Sequence, residues 1–243
     1  AANQHGTGYA SFTFQVRDNG GITDGGIDTD ASPNTITVDV TSVNDAPNGT
    51  DNTVTTLEDT PYTFTVADFG FTDTSDSPAN ALLSIVITTL PVNGSLSLIA
   101  GASVTGAVTA GQEIIAADIP FLRYTPVAPG NGTAYADFRF QVRDNGGTAN
   151  GGANLDSVSN IMTIDVTSVN DAPAGANQTI GMLEDATYNF VAANFGFSDA
   201  NDTPANTLQS VIIDTIPAAG SLFLVAPASV TGAVTAGQTI AAN

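Results

Sequence analysis

The feature that most limits what this chain can fold into is duplication at one fixed spacing. Thr-Ser-Val-Asn-Asp-Ala-Pro stands at 41–47 and again at 167–173. Phe-Gln-Val-Arg-Asp-Asn-Gly-Gly occurs at 14–21 and 140–147, and Ser-Val-Thr-Gly-Ala-Val-Thr-Ala-Gly-Gln recurs unchanged at 103–112 and 229–238, each offset being 126 residues. Residues 57–64 and 69–80 match 183–190 and 195–206 at the same offset. This period is far above the roughly 20–50 residues of stacked solenoid units, so each unit is expected to be a domain. The 243 residues then divide into the second half of one repeat (1–47), a complete repeat (48–173) and the first half of a third (174–243).

Within the complete repeat the apolar pattern has a period of two. Tyr62, Phe64 and Val66 alternate with polar residues, as do Phe138, Phe140 and Val142, with Arg139 and Gln141 on the other face. Residues 160–169 alternate too, whereas 82–90 and 95–99 read as more buried strands. Clusters of Gly, Pro, Asn and Asp separate the runs. No long stretch has a period of 3.6, although residues 110–119 have room for one helical turn. The expectation is all-β: seven or eight short strands per repeat, folded as a β-sandwich. Pro47 and Pro173 close a strand and open a linker, because proline cannot continue a ladder.

Charge narrows the function. The chain carries 24 acids against four Arg and no Lys, for a formal charge of −20. Such a surface repels phosphate, which argues against nucleic acid and anionic membranes as partners. No apolar run is long enough for a membrane helix, and a chain with no Cys has no disulfide framework. The lack of Lys also excludes Lys–Asn isopeptide cross-links. Clustered carboxylates about 4 Å apart repel by roughly 1 kcal/mol in water and more at lower dielectric, so they need full solvation or a cation.

The two copies filter the acids. Asp24, Asp28, Asp51 and Asp68 become Asn in the other copy, Glu113 becomes Thr, and Asp137 faces Ser11. Eight positions stay acidic: Asp18/Asp144, Asp30/Asp156, Asp39/Asp165, Asp45/Asp171, Glu58/Glu184, Asp59/Asp185, Asp73/Asp199 and Asp76/Asp202. Retention is expected to mark a site rather than solubility.

Taken in order, the Leu-Glu-Asp stretch, the spaced Asp pair followed by Asn, the Arg-Asp-Asn-Gly turn and the Val-Asn-Asp-Ala-Pro linker resemble the cadherin-like, immunoglobulin-like tandem repeats of large bacterial surface adhesins, many of the RTX type. The resemblance covers the whole chain. It implies a rod of sandwiches with Ca²⁺ held where two domains meet. It places one junction at Asn44, Asp45, Asp73, Asp76, the backbone of Asn80, and Asp144. The other uses Glu58, Asn170, Asp171, Asp199, Asp202 and Asn206, while Asp18 belongs to a junction ahead of the first half-repeat. The linker lacks the extra Asp of cadherins and the mid-domain Asp-Arg-Glu trio has no match, the nearest stretch being 118–124. One or two ions per junction, rather than three, is the implication.

The implied function is a structural extender: an extracellular stalk, fibre or matrix component whose partners are neighbouring repeats joined head-to-tail. The alternative is a calcium-dependent module that binds glycan. Simple readings stand beside these. The linker could be only a Pro-terminated strand with an Asx turn, the Asp-Asn-Gly segment is a hairpin turn in any case, Arg17 and Arg143 are expected to pair with local acids, and His5 is expected to be inert. Catalysis is not expected: there is no Cys or Lys nucleophile, no second His, and neither G-x-S-x-G nor H-E-x-x-H. Finally, residue 1 aligns with Val127 and residue 243 with Ala117, so positions 118–126 occur once. Neither terminal half is expected to close its sheet edges alone, and each is expected to meet a neighbouring repeat, of a longer chain or of another copy.

Overall fold

The structure is a computed structural model and describes residues 3–226, 228 and 231–242. The outermost residues of both half-repeats, and Ser229 and Val230 of the second Ser-Val-Thr-Gly motif, lie outside the described residues. The described chain is all-β. Fifteen strands run in order: β1 (Gly6–Phe14), β2 (Asn34–Val40), β3 (Asn52–Leu57), β4 (Tyr62–Thr63), β5 (Leu82–Thr89), β6 (Ser95–Leu98), β7 (Gly106–Ala107), β8 (Glu113–Ile115), β9 (Leu122–Thr125), β10 (Gly132–Asp144), β11 (Asn160–Thr167), β12 (Ser210–Ile213), β13 (Phe223–Leu224), β14 (Gly232–Ala233) and β15 (Gln238–Ala241). Helix is limited to 3₁₀ turns, the longest being Ala116–Phe121, which takes up the helical turn expected near 110–119 after β8 has already used Glu113–Ile115 as strand.

Residues 48–173 build two sheets. One has the order β3-β11-β10-β5-β8 and the other β4-β9-β6-β7. All neighbours are antiparallel except β3 and β11, which run parallel with Val54 opposite Ile164. Their facing sides share one core. Phe138, Phe140, Val142, Met162 and Ile164 come from the first sheet, and Leu96, Leu98, Leu122 and Tyr124 from the second. Phe64 and Phe69 bridge them, Phe64 meeting Phe138 edge-on at 5.5 Å and Phe69 meeting Phe140 at 4.9 Å between ring centroids. Such pairs add about 0.5–1.5 kcal/mol each beyond the area they bury. The result is a β-sandwich with one hydrophobic core.

The flanking segments repeat the same elements only where a partner strand exists in the chain. β1 and β2 pair as β10 and β11 do, with the same register shift near the start of the first strand. β12 with β15, and β13 with β14, copy β5 with β8 and β6 with β7. Residues 178–183 and 188–189 match β3 and β4 in sequence yet form no strand. β3 pairs only with β11 and β4 only with β9, and among the described residues after 173 no strand takes the place of β9 or β11. A strand's backbone groups need that ladder to offset the entropy of ordering.

Candidate functional site

Both junctions are built from one local plan. At each, the Asx-rich loop after the first 3₁₀ turn of a repeat folds over the linker that precedes it. Asn80 N–H donates to Asp73 Oδ2 at 2.8 Å, and Asn206 N–H to Asp199 Oδ2 at 3.0 Å. Asp45 N–H donates to Asp76 Oδ2 at 3.0 Å, and Asp171 N–H to Asp202 Oδ1 at 2.9 Å. The loop is therefore pinned to the linker through the acids themselves. Asp73, Asp199 and Asp202 are buried. In both copies the remaining oxygen, Asp73 Oδ1 or Asp199 Oδ1, is buried with no hydrogen-bond partner. An unsatisfied buried acceptor costs about 1–3 kcal/mol, more for a charged group, and here it occurs twice at the same place.

At the second junction Glu58, at the end of the β3 segment, meets the linker and the Asp pair. Oxygens of Glu58, Asp171 and Asp202 lie within 4.8 Å of one another. Two oxygens bound to one Ca²⁺ at about 2.3–2.6 Å stand at most about 5 Å apart, so the three are close enough to share one cation. Glu58 is only 2 % exposed. Its carboxylate accepts from Val169 N–H at 2.5 Å, the Asn131 amide at 2.9 Å and the Ser168 hydroxyl at 3.3 Å. The Val169 and Asn131 bonds hold its pKa below the ordinary value against the opposing effect of burial. Asp171 is shifted the other way, first by burial and then by the charges of Asp59, Glu58, Asp202 and Asp199. The pocket thus favours the ionised form of one carboxylate while crowding a second beside it.

The first junction is differently filled. Asp144, at the end of β10, is fully buried, and burial raises its pKa despite hydrogen bonds from Gly146 N–H and Asn44, with Asp73 and Asp76 adding repulsion. Asp73, Asp76 and Asp144 do not close to the separation of the Glu58 trio. Two amides bridge them instead. Asn44 Nδ2 donates to Asp144 Oδ1 at 3.1 Å, and Asn80 Nδ2 donates to Asn44 Oδ1 at 2.5 Å and to Asp76 Oδ2 at 3.3 Å. Gly146 is required here, since a Cβ would fall 1.7 Å from Asn44 Oδ1. The Asp-Asn-Gly turn is therefore packed under the linker. Rotating the two amides would turn their oxygens, in place of their N–H groups, towards the carboxylates.

The structure thus gathers Asn44, Asp45, Asp73, Asp76, Asn80 and Asp144 at one joint, and Glu58, Asn170, Asp171, Asp199, Asp202 and Asn206 at the other. Asn170 differs from Asn44: its Nδ2 donates to Asp171 O at 3.1 Å. Asp18 stands apart, exposed and bonded to Gly20 N–H at 2.8 Å. For Asn80 and Asn206 the observed contacts are made by the N–H and the amide rather than by the carbonyl. Sequence reasoning left out Asn131 and Ser168, and kept Asp59 as a retained acid without placing it at a joint. Ser168 and Asp59 are unchanged at Ser42 and Asp185 and so carried a signal, whereas Asn131 faces His5 in the other copy and carried none.

Retention of an acid has a second cause. Asp165 and Asp39 hold the bulge of their hairpins, accepting from Ala134 N–H at 2.7 Å and Gly8 N–H at 2.6 Å, both residues at positive φ. Asp156 is buried and accepts from Gly49 N–H, Val158 N–H and the Asn160 amide. These acids are structural, and retention alone does not mark a site. Arg143 lies 3.1 Å from Glu113 and donates to Asn154, while Arg17 lies 3.7 Å from Asp28. Among the described residues no helix is long and apolar enough to cross a membrane. Comparison with protein-family models, curated proteins and solved structures finds no match for this chain.

Proposed function

We propose that this chain is a stretch of an extracellular stalk or fibre in which calcium stiffens the joints between sandwich repeats. The observation that carries the reading is the pair of equivalent buried carboxylate oxygens, Asp73 Oδ1 and Asp199 Oδ1, left without partners at the two joints. The all-oxygen donor set fits a hard cation that takes six to eight oxygens. No thiolate is available and no imidazole joins the Glu58 cluster, which disfavours softer metals. In this reading Glu58, Asp171, Asp199 and Asp202 hold one ion, and Asp73, Asp76 and Asp144 with the Asn44 and Asn80 amide oxygens hold another. Each ion ties a loop of one repeat to the linker from the previous one, so binding lowers the freedom of the hinge. The cavity at the first joint is lined by Asn3, Gln4, His5, Ser75 and Asp76 among others, with no Phe, Tyr or Trp to stack on a sugar, which favours the stalk over a glycan-binding role.

The test is thermal unfolding in chelator and in millimolar calcium, with small-angle scattering in the same buffers. Extracellular modules bind calcium with a Kd of about 10⁻⁴–10⁻³ M, and a ligand at about 100 times Kd adds roughly 2.7 kcal/mol per site. The melting temperature should rise and the particle lengthen. The combined change Asp73→Ala and Asp76→Ala should remove the part of the response due to the first joint. Superimposable curves in the two buffers would reject the proposal.

A further inference from the structure

Six Asn-Gly pairs punctuate the chain, at 19–20, 48–49, 93–94, 131–132, 145–146 and 150–151. This dipeptide is especially open to spontaneous deamidation, because glycine has no Cβ to keep its backbone nitrogen away from the Asn side chain. The fold restrains five of the six. Asn145 Oδ1 accepts from Ala81 N–H at 2.9 Å, and Gly146 N–H donates to Asp144 Oδ1 at 2.8 Å. Gly49 N–H donates to Asp156 Oδ2 at 2.8 Å, and Gly20 N–H to Asp18 Oδ1 at 2.8 Å. Asn93 Nδ2 donates to Tyr135 O at 2.9 Å, and Asn131 Nδ2 to Glu58 Oε2 at 2.9 Å. Asn150 differs. Both it and Gly151 are exposed, and no hydrogen bond of this kind holds the Asn150 side chain.

The turn is left-handed at this residue. Asn150 has φ 56° and ψ 24°, Gly151 has φ 86°, and Gly152 N–H closes the turn on Ala149 O at 3.0 Å. One period earlier the same turn holds Asp24 at φ 58° and ψ 29°, followed by Gly25 at φ 85°. Gly26 N–H closes that turn on Thr23 O at 3.1 Å. The carboxylate that deamidation creates at position 150 is therefore already accommodated by this backbone geometry in the other copy. Exposed turns of this kind, rich in small residues, are where chemical change concentrates.

We infer that Asn150 is a self-modification site whose isoaspartate product loosens the first joint. The Gly151 nitrogen attacks Asn150 Cγ. The N–Cγ bond forms, the Cγ–NH₂ bond breaks, and the proton of the Gly151 nitrogen leaves with the amide as ammonia. Water then opens the five-membered succinimide at either carbonyl. One opening gives aspartate, with the backbone unchanged in length. The other gives isoaspartate, whose backbone runs through Cβ and Cγ and is longer by one carbon. Aspartate fits the turn as Asp24 does. Isoaspartate lengthens a loop that is clamped to the linker on both sides of the turn. Ala153 N–H donates to Asn44 O at 2.9 Å, and Asn44 Nδ2 donates to Gly147 O at 3.1 Å and to Ala153 O at 2.5 Å. There is no slack beside it, since a Cβ on Gly152 would lie 3.0 Å from Asn44 O. The added carbon therefore displaces the loop from the linker. The reaction consumes only water and is independent of the cation reading.

The test ages the full chain at mildly alkaline pH, folded and in urea, and follows each Asn-Gly pair by peptide mass spectrometry. Isoaspartate is counted by its enzymatic methylation. In the folded chain Asn150 should convert about tenfold or more faster than Asn145 and Asn48, which react only after local opening. In urea the pairs should converge. The isoaspartate form, separated from the aspartate form by chromatography, should exchange the Ala153 amide hydrogen faster than the fresh chain does. Asn150→Asp should match the fresh chain at that amide and should yield little isoaspartate on the same timescale. Conversion of Asn150 no faster than that of Asn145 in the folded chain overturns the site, as does an equal lead for Asn150 in urea. Equal exchange at Ala153 in the isoaspartate and aspartate forms overturns the effect on the joint.

Discussion

Glu58 shows how much of this molecule turns on individual oxygens. Its carboxylate has two acceptors facing three donors, from Val169, Asn131 and Ser168. Glu58→Gln turns an NH₂ towards one of them, and the expected cost is about 1–3 kcal/mol, read by urea unfolding in chelator. The pH dependence follows from the direction of its shift. Because the folded value lies below the ordinary 4.5, the contribution of Glu58 is complete above that pH and is lost as pH falls through the folded value. The Gln variant should flatten that part of the acid limb. Asp171 has the opposite sign: its raised value opposes folding at neutral pH, and the penalty fades as pH falls through it. Asp171→Asn should therefore stabilise the metal-free protein at neutral pH and weaken its calcium response. Other acids act only as acceptors. Asp68 Oδ2 accepts from Thr65 N–H at 2.7 Å and from the Tyr62 hydroxyl, and Asn194 Oδ1 makes both bonds in the other copy. Asp68→Asn should change stability by less than about 0.5 kcal/mol, whereas Asp68→Ala removes a cap worth about 0.5–2 kcal/mol. Comparing the copies made this interchange visible in the sequence. It did not separate acids that hold a bulge, such as Asp165, from acids that crowd a joint, because both are retained.

Strands here depend on neighbours more than on their own composition. The alternation at 138–142 and 160–169 was enough to read β10 and β11, and the turn residues were enough to bound them. The parallel pairing of β3 with β11 was not legible, because register between segments over 100 residues apart is set by the shared core and not by local pattern. The absence of strand at 178–183 was hidden for the same reason: the segment has good strand residues and no ladder. Equivalent residues should then differ sharply on truncation. Phe138 is sealed between Phe64 and Phe140, and Phe138→Ala should cost about 3–5 kcal/mol. Phe12→Ala, at the same place in the half-repeat, should leave the unfolding of residues 48–173 unchanged at concentrations where the chain is monomeric. Chemical denaturation of the two variants side by side checks this. Backbone amides of β10, which ladders on both sides with β5 and β11, should exchange slowly.

At the scale of the molecule, the excess of acid sets the terms. The chain has 24 acids and four Arg, and among the described residues neither ion pair involves a carboxylate of the joints. Arg143 pairs with Glu113 and Arg17 lies beside Asp28. Calcium supplies the missing charge in this account, and a rod gains stiffness only when its joints are filled. The account is tested most directly by equilibrium calcium binding to the intact chain and to a chain carrying Asp171→Ala with Asp202→Ala. It predicts saturable binding with a Kd of about 10⁻⁴–10⁻³ M in the first, and the loss of one class of sites in the second with the others retained. Equal binding by the two proteins, or none by either, would contradict it.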